Sequence, residues 1–144
     1  RRDMVHCADW QDFLVSDSAQ LILEDSVTWK LEPGSTVTLV GPECLLKISP
    51  YSEVKFGYNS KLVLKNGARI SANNFKFTSL DSNGTWDGIY IEDNANDTIL
   101  NCTIENAYNG INISGGNSFF DPYSTQITGC TFPAVVGVLT NDKN

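Results

Sequence analysis

The sequence predicts an all-β fold, a right-handed parallel β-helix (β-solenoid) of about six coils behind a short N-terminal cap. Three observations carry that expectation. Trp86-x-Gly88-Ile89-x-Ile91 returns as Tyr108-x-Gly110-Ile111-x-Ile113 and, weakened, as Val135-x-Gly137-Val138-x-Thr140. Ile99-x-x-Cys102-Thr103-Ile104 recurs as Ile127-x-x-Cys130-Thr131-Phe132. Upstream, an apolar-x-apolar triplet, five turn-forming residues and a second such triplet occur four times in succession. Short strands that return at coil-length intervals, separated by Asn, Gly and Asp, stack one coil on the next. The right-handed sense is that of parallel crossovers in general.

Residues 1–12 do not fit the repeat and read as the cap. Val5, Ala8, Trp10 and Phe13 make one apolar face of a short helix or irregular segment, which would hide the open sheet edge of a first coil. A flexible leader is the plainer alternative. Residues 13–144 form the β-helix itself. Its regular part pairs Phe13 and Val15 with Leu21 and Leu23, and Trp29 and Leu31 with Val37 and Leu39. Leu46 and Ile48 pair with Val54 and Phe56, and Leu62 and Leu64 with Ile70 and Ala72. The connectors S-D-S-A-Q, E-P-G-S-T, S-P-Y-S-E and K-N-G-A-R are turn chemistry.

Successive copies begin at 13, 29, 46 and 62, steps of 16, 17 and 16 residues. Read as one coil per copy, that spacing puts Leu31, Ile48 and Leu64 in a single internal column, neighbours about 4.8 Å apart. An antiparallel sandwich would show the same alternation, but its hairpins need no turn length held constant over four copies. After Ala72 the coils lengthen: Gly88 to Gly110 is 22 residues and Gly110 to Gly137 is 27. The extra residues fall in S-G-G-N-S-F-F-D-P-Y-S, residues 114–124, the longest excursion from the core and a place for variable surface.

A chain of 144 residues, 41% hydrophobic, supports one domain with a real core. Its net charge of -7 repels phosphate backbones, and its Lys and Arg are scattered, which argues against nucleic acid as a partner. No apolar run approaches the roughly 20 residues of a membrane span. The only Met, Met4, stands behind Arg1 and Arg2, which marks a processed product or a piece of a longer chain. Cys7, Cys44, Cys102 and Cys130 lack zinc-ligand spacing, and no cofactor is expected.

L-E-P-G-S-T-V-T-L, K-L-V-L-K-N-G-A-R-I, F-K-F-T-S-L, W-D-G-I-Y-I and I-L-N-C-T-I-E-N-A together resemble the right-handed, pectate-lyase-like parallel β-helix modules of bacterial secreted and surface proteins. The resemblance covers residues 21–140. It implies an exported protein, of a type often sent out by type IX secretion, and therefore an extracellular or cell-surface location. It implies no particular activity. Members of that group carry many more coils and further domains, so the chain is short for the group.

Pectin-cleaving β-helix enzymes supply the sharpest catalytic hypothesis. A lyase needs carboxylate-bound calcium and a basic residue; a hydrolase needs paired acids. Here Arg69 is the only Arg beyond the N-terminus and His6 the only His. Asp81 and Asp87 flank one extended turn and Asp93 and Asp97 another, a weak set of calcium candidates that reads more simply as Asx turns at coil corners. No catalytic residue and no metal site is therefore assigned. Cys102 and Cys130 occupy equivalent inward positions in adjacent coils, suited either to a disulfide or to a filler ladder. Cys44 shares the inward face of Leu46, and Cys7 in the cap is a candidate to bridge to it. Asn83, Asn96, Asn101 and Asn112 open N-x-S/T sequons and are candidate glycosylation sites, although an Asn- and Thr-rich solenoid generates such triplets by composition.

Phe119, Phe120 and Tyr123 crowd one loop beside Pro122, as a ligand or partner loop or as a flap over the core flank. The last coil is followed only by N-D-K-N, which leaves a strand edge to pair with another copy. The contacts expected for such head-to-tail association are Val5, Trp10 and Phe13 at one end and Phe132, Val135 and Val138 at the other. The expected function is a non-catalytic extracellular structural or adhesive module, self-associating into filaments. The alternative is a β-helix that binds or acts on carbohydrate, with glycan as the partner.

Overall fold

A computed structural model describes residues 9–10, 13–15, 20–24, 26–81, 84–92, 97–113, 125–137 and 140–141. The chain opens with β1 (Asp9–Trp10), β2 (Phe13–Val15), β3 (Gln20–Leu23) and β4 (Thr28–Leu31). Next come β5 (Thr36–Val40), β6 (Leu45–Ile48), β7 (Ser52–Phe56), β8 (Lys61–Lys65) and the long β9 (Arg69–Ser79). The described strands end with β10 (Gly88–Ile91), β11 (Asp97–Ile104), β12 (Ile111–Ile113), β13 (Thr125–Thr128) and β14 (Thr140–Asn141). Every pairing between them is parallel, and no helix occurs among the described residues. The fold is an all-β parallel solenoid.

Each fully described coil runs through three paired segments, one on each of three faces. The first face stacks β2, β5, β8, β10, β12 and β14 in that order. The second stacks β3, β6 and the leading halves of β9 and β11 before β13; the third stacks β1, β4, β7 and the trailing halves of β9 and β11. Phe13, Val37, Leu62, Ile89 and Ile111 are successive partners on the first face, so by subtraction the coil takes 24, 25, 27 and 22 residues. Three turns, 36–56, 61–79 and 88–104, carry all three strands with described inward side chains, and partly described turns flank them. That is about three turns where six were expected.

The coil length corrects the expected register. Leu31, Ile48 and Leu64 are not stacked neighbours: Leu31 pairs with Phe56, Ile48 lies between Leu23 and Ala72, and Leu64 lies between Leu39 and Ile91. The reason lies in the strand unit. Strand plus connector takes eight or nine residues everywhere between Phe13 and Ile70, so two units fit the sequence as regularly as three. The 16-residue spacing is two strands of a three-strand coil. Similarly, Trp86 bridges Ala107 rather than Tyr108, because the second copy holds one more residue before its strand, and Tyr108 is left 57% exposed. At the far end Asn112 pairs with Thr140, one residue out of step with the Gly110 and Gly137 match.

Corners need residues that tolerate a left-handed backbone. Between the second and third faces, Ser26, Tyr51, Asn74, Asn101 and Gly129 form one column by register, with φ of 59°, 65°, 55°, 52° and 73°. Asn59, Asn66 and Asn106 adopt the same conformation at the other corners. Asn reaches it at low cost because its short amide bonds locally, which is why Asn recurs along the chain. Gly88 is fixed by a different constraint: at φ 141° an added Cβ would collide with the Asn109 carbonyl of the next coil.

Alternation along the strands sends Leu21, Leu23, Val37, Leu39, Ile70 and the other described inward residues into one buried core. Among the described residues a group of aromatic rings lies at its third-face side. Trp86 stacks on Phe56 at 3.9 Å and 10°, and Phe77 meets Phe56 edge-on at 5.2 Å. The buried hydroxyls of Ser52 and Ser60 donate to the carbonyls of Glu24 and Gly57, at 2.8 and 2.7 Å. Within the stretch read as a cap, Asp9–Trp10 is a solenoid strand, parallel to β4; the rest of that stretch lies outside the described residues.

Candidate functional site

Two polar surface sites are built by this frame. The first lies on the outside of the first face. Tyr90 points outward between inward Ile89 and Ile91, and its hydroxyl donates to Asp87 Oδ1 at 2.6 Å. Asn109, on the turn before β12, donates through Nδ2 to the Tyr90 oxygen at 3.0 Å and to Asp87 Oδ1 at 3.3 Å. Lys61 places its ammonium 5.6 Å from the Tyr90 ring centroid, within cation–π range. Gly88 makes this triangle: its lack of a side chain lets the Asp87 and Asn109 backbones approach, with Asn109 N–H donating to the Asp87 carbonyl at 2.8 Å. The carboxylate of Asp87 is thus committed to two neighbours.

Partial burial, then the Asp87 carboxylate that accepts its hydrogen bond and repels its anion, push the Tyr90 phenol up to about 12, against a smaller opposing effect of Asn109. A phenol that ionises near 10 in the unfolded chain and near 12 in the fold favours folding in its neutral form. That contribution is complete below about pH 10 and is lost as pH rises through about 12. Tyrosinate absorbance should therefore show one phenol ionising near pH 12 in the folded protein, absent in Tyr90→Phe. Absence of a component near pH 12, or its survival in Tyr90→Phe, would contradict the triangle.

The second site is a shallow depression of about 380 Å³ at the left-handed corner between the second and third faces. Its outward side chains are Tyr51, Glu53, Asn74, Lys76 and Asn101, over a floor formed by Ser52 and Phe75. The two rows of that floor are already paired, Ser52 with Phe75 and Glu53 with Lys76. Asn101 Nδ2 donates to Asn73 Oδ1 at 2.9 Å, and its own Oδ1 lies over Gly129, where an added Cβ would displace it. Lys76 reaches Glu105 Oε2 at 3.3 Å, and the Thr78 hydroxyl donates to the same oxygen at 2.8 Å. Tyr51 is 76% exposed.

The residues singled out in the sequence are dispersed. Asp81 is exposed on the bend after β9, Asp87 belongs to the Tyr90 triangle, Asp97 opens β11 opposite Thr125, and Arg69 is exposed at the start of β9. Among the described residues no three His, Cys, Asp or Glu side chains converge on a common metal position. Asp93, His6, Cys7, Val5, Val138, Asn83, Asn96, Phe119, Phe120 and Tyr123 lie outside the described residues. Trp10 and Phe13 fall in β1 and β2, while Phe132 and Val135 are half-buried against the core in the last coil. Of the sequon residues, Asn101 is exposed with its amide engaged by Asn73, and Asn112 Nδ2 is buried without a hydrogen-bond partner.

Cys102 and Cys130 face each other across adjacent coils, Cα atoms 4.3 Å apart, and are joined as a disulfide. The bridge ties the last described coil to the one before it. Cys44 is buried at the corner after β5, where its thiol donates to the Val40 carbonyl at 3.0 Å. Tyr51, Tyr90 and Asn109 were not among the sequence candidates. Position relative to a turn was the only available signal for them, since each is one Tyr or Asn among many. Among known proteins, the chain matches no protein-family model, no curated protein and no solved structure.

Proposed function

We propose that the chain is a non-catalytic extracellular structural or adhesive module that associates end to end. The observation that carries this reading is the pairing of the terminal strands. Among the described residues β2 and β14 are the outermost strands of the first face, β3 and β13 those of the second, and β1 the first strand of the third, each paired on one side only. In a parallel stack the free edge of the first coil is complementary to the free edge of the last. A contact between them is heterologous and does not close, so it builds a filament rather than a dimer. Val136, 65% exposed on the last coil, adds apolar surface at that end beside Phe132 and Val135. Trp10 and Phe13 belong to the terminal strands at the other end.

The Cys102–Cys130 bridge supports an oxidising, extracellular setting. A pectate-lyase-like, right-handed module of a bacterial surface protein is the reading the sequence motifs favour, with type IX export as its route. The carboxylates of Asp87 and Glu105 are each held by two neighbours, an arrangement suited to structure rather than to proton transfer. Sedimentation velocity and electron microscopy test the assembly. The unmodified protein is expected to form linear polymers whose mean length grows with concentration, and Val136→Lys is expected to shift it to monomers with unchanged β-rich circular dichroism. A monomer at the highest attainable concentration would overturn the assembly reading.

A further inference from the structure

We infer that the depression at the left-handed corner is a binding site for a neutral pyranose sugar, with the Tyr51 ring as its stacking platform. This goes beyond the module reading and does not depend on end-to-end assembly. The first observation is a conflict at Tyr51. A bulky aromatic at φ 65° is unusual for an L-residue, and the same column holds Asn74, Asn101 and Gly129 in the following coils. Asn or Gly would fit there with less strain. Nor is Tyr51 retained for packing, since 76% of its surface is exposed. A strained, solvent-facing aromatic at a place where the fold prefers a small residue points to a role outside folding.

The second observation is what surrounds the ring. The depression, about 380 Å³, is lined by Asn74, Asn101, Glu53 and Lys76, with one hydrogen of the Asn101 amide already donated to Asn73. A sugar offers an apolar C–H face and a rim of hydroxyls, each both donor and acceptor. A flat aromatic beside amides and one carboxylate matches both parts.

Charge and topology narrow the class. Lys76 is already paired with Glu105 at 3.3 Å, and Glu53 adds a further negative charge, so nothing here favours a uronate or a phosphate. An extended peptide would need an unpaired strand edge, whereas both rows of the floor are bonded to each other within the sheet.

The test is a titration of the isotope-labelled protein, followed by amide chemical shifts, with glucose-, galactose- and mannose-based tetrasaccharides and with tetragalacturonate as the anionic control. At least one neutral probe is expected to shift the amides of Tyr51, Asn74 and Asn101 in the millimolar range, with tetragalacturonate at least about tenfold weaker. Tyr51→Asn, which installs the residue used by the next two coils, is expected to weaken binding at least about tenfold while leaving the thermal midpoint unchanged or raised. No shift with any neutral probe, equal response to the uronate, or equal binding by Tyr51→Asn would overturn the site. A fall in the midpoint of Tyr51→Asn would show instead that Tyr51 is held for the fold. Polymer formation can fail or succeed without moving any of these readouts.

Discussion

Leu64→Asp is expected to prevent folding at ambient temperature. Leu64 is 0% exposed and lies in the first-face column between Leu39 and Ile91, with no polar group of its own to be matched. Truncating such a leucine costs about 2–5 kcal/mol through lost burial and the cavity left behind. An unpaired carboxylate in the same place adds several kcal/mol more, or forces the group to be protonated at comparable cost. The sum approaches the roughly 5–15 kcal/mol that holds a domain of this kind together. Lys65→Asp, one residue on and turned to the outer face, should stay within about 0.5 kcal/mol of the parent. Urea unfolding followed by circular dichroism separates the two; a cooperative transition of ordinary midpoint for Leu64→Asp would mean that the strand does not face a closed interior.

The strands were legible because burial alternates along them. Leu21 and Leu23, Val37 and Leu39, and Ile89 and Ile91 announce an inward face without reference to any partner. How many strands close a coil was not legible. With connectors of nearly constant length, a shift of one whole strand unit preserves every inward and outward assignment, so periodicity alone left two-strand and three-strand coils equivalent. Only the pairing register, Val37 with Leu62 and Leu23 with Ile48, distinguishes them. The pairing of Cys102 with Cys130 was open in the sequence for a related reason: spacing placed them in adjacent coils but said nothing of oxidation.

Both surface sites depend on corners, and corners are where single-sequence reading is weakest. Asn59, Asn66, Asn74, Asn101 and Asn106 share a left-handed backbone, yet in the sequence they read as plain polarity, with Asn101 alone among them opening a sequon. Tyr51 follows Pro50 inside a connector and carries no mark of its unusual backbone. Only its place in a column of Asn and Gly makes it anomalous. The Tyr90 triangle is also assembled across coils, since Asp87 and Asn109 are 22 residues apart and meet because Gly88 lets the chains close.

Trp86→Ala is the second substitution expected to be severe, at about 3–5 kcal/mol. Trp86 is 0% exposed, stacks on Phe56 at 3.9 Å and meets Phe77 at 6.1 Å, so its removal opens a cavity beside two other rings. Its Nε1–H also donates to the Glu105 carbonyl at 2.9 Å, across two coils of the third-face corner. Trp86→Phe keeps most of the ring contact but leaves that carbonyl without the indole donor, and should cost about 1–3 kcal/mol. The difference between the two variants separates packing from the hydrogen bond. A further consequence follows from Glu105, whose carbonyl is held by Trp86 and whose carboxylate holds Lys76 and Thr78. In Trp86→Phe, Lys76 should become more mobile, seen as a narrowed spread of its side-chain resonances, while the resonances of Tyr51 are expected to stay unchanged. A Trp86→Ala protein that loses less than about 1 kcal/mol in denaturant titration would show that the aromatic stack is peripheral to the stability of the solenoid.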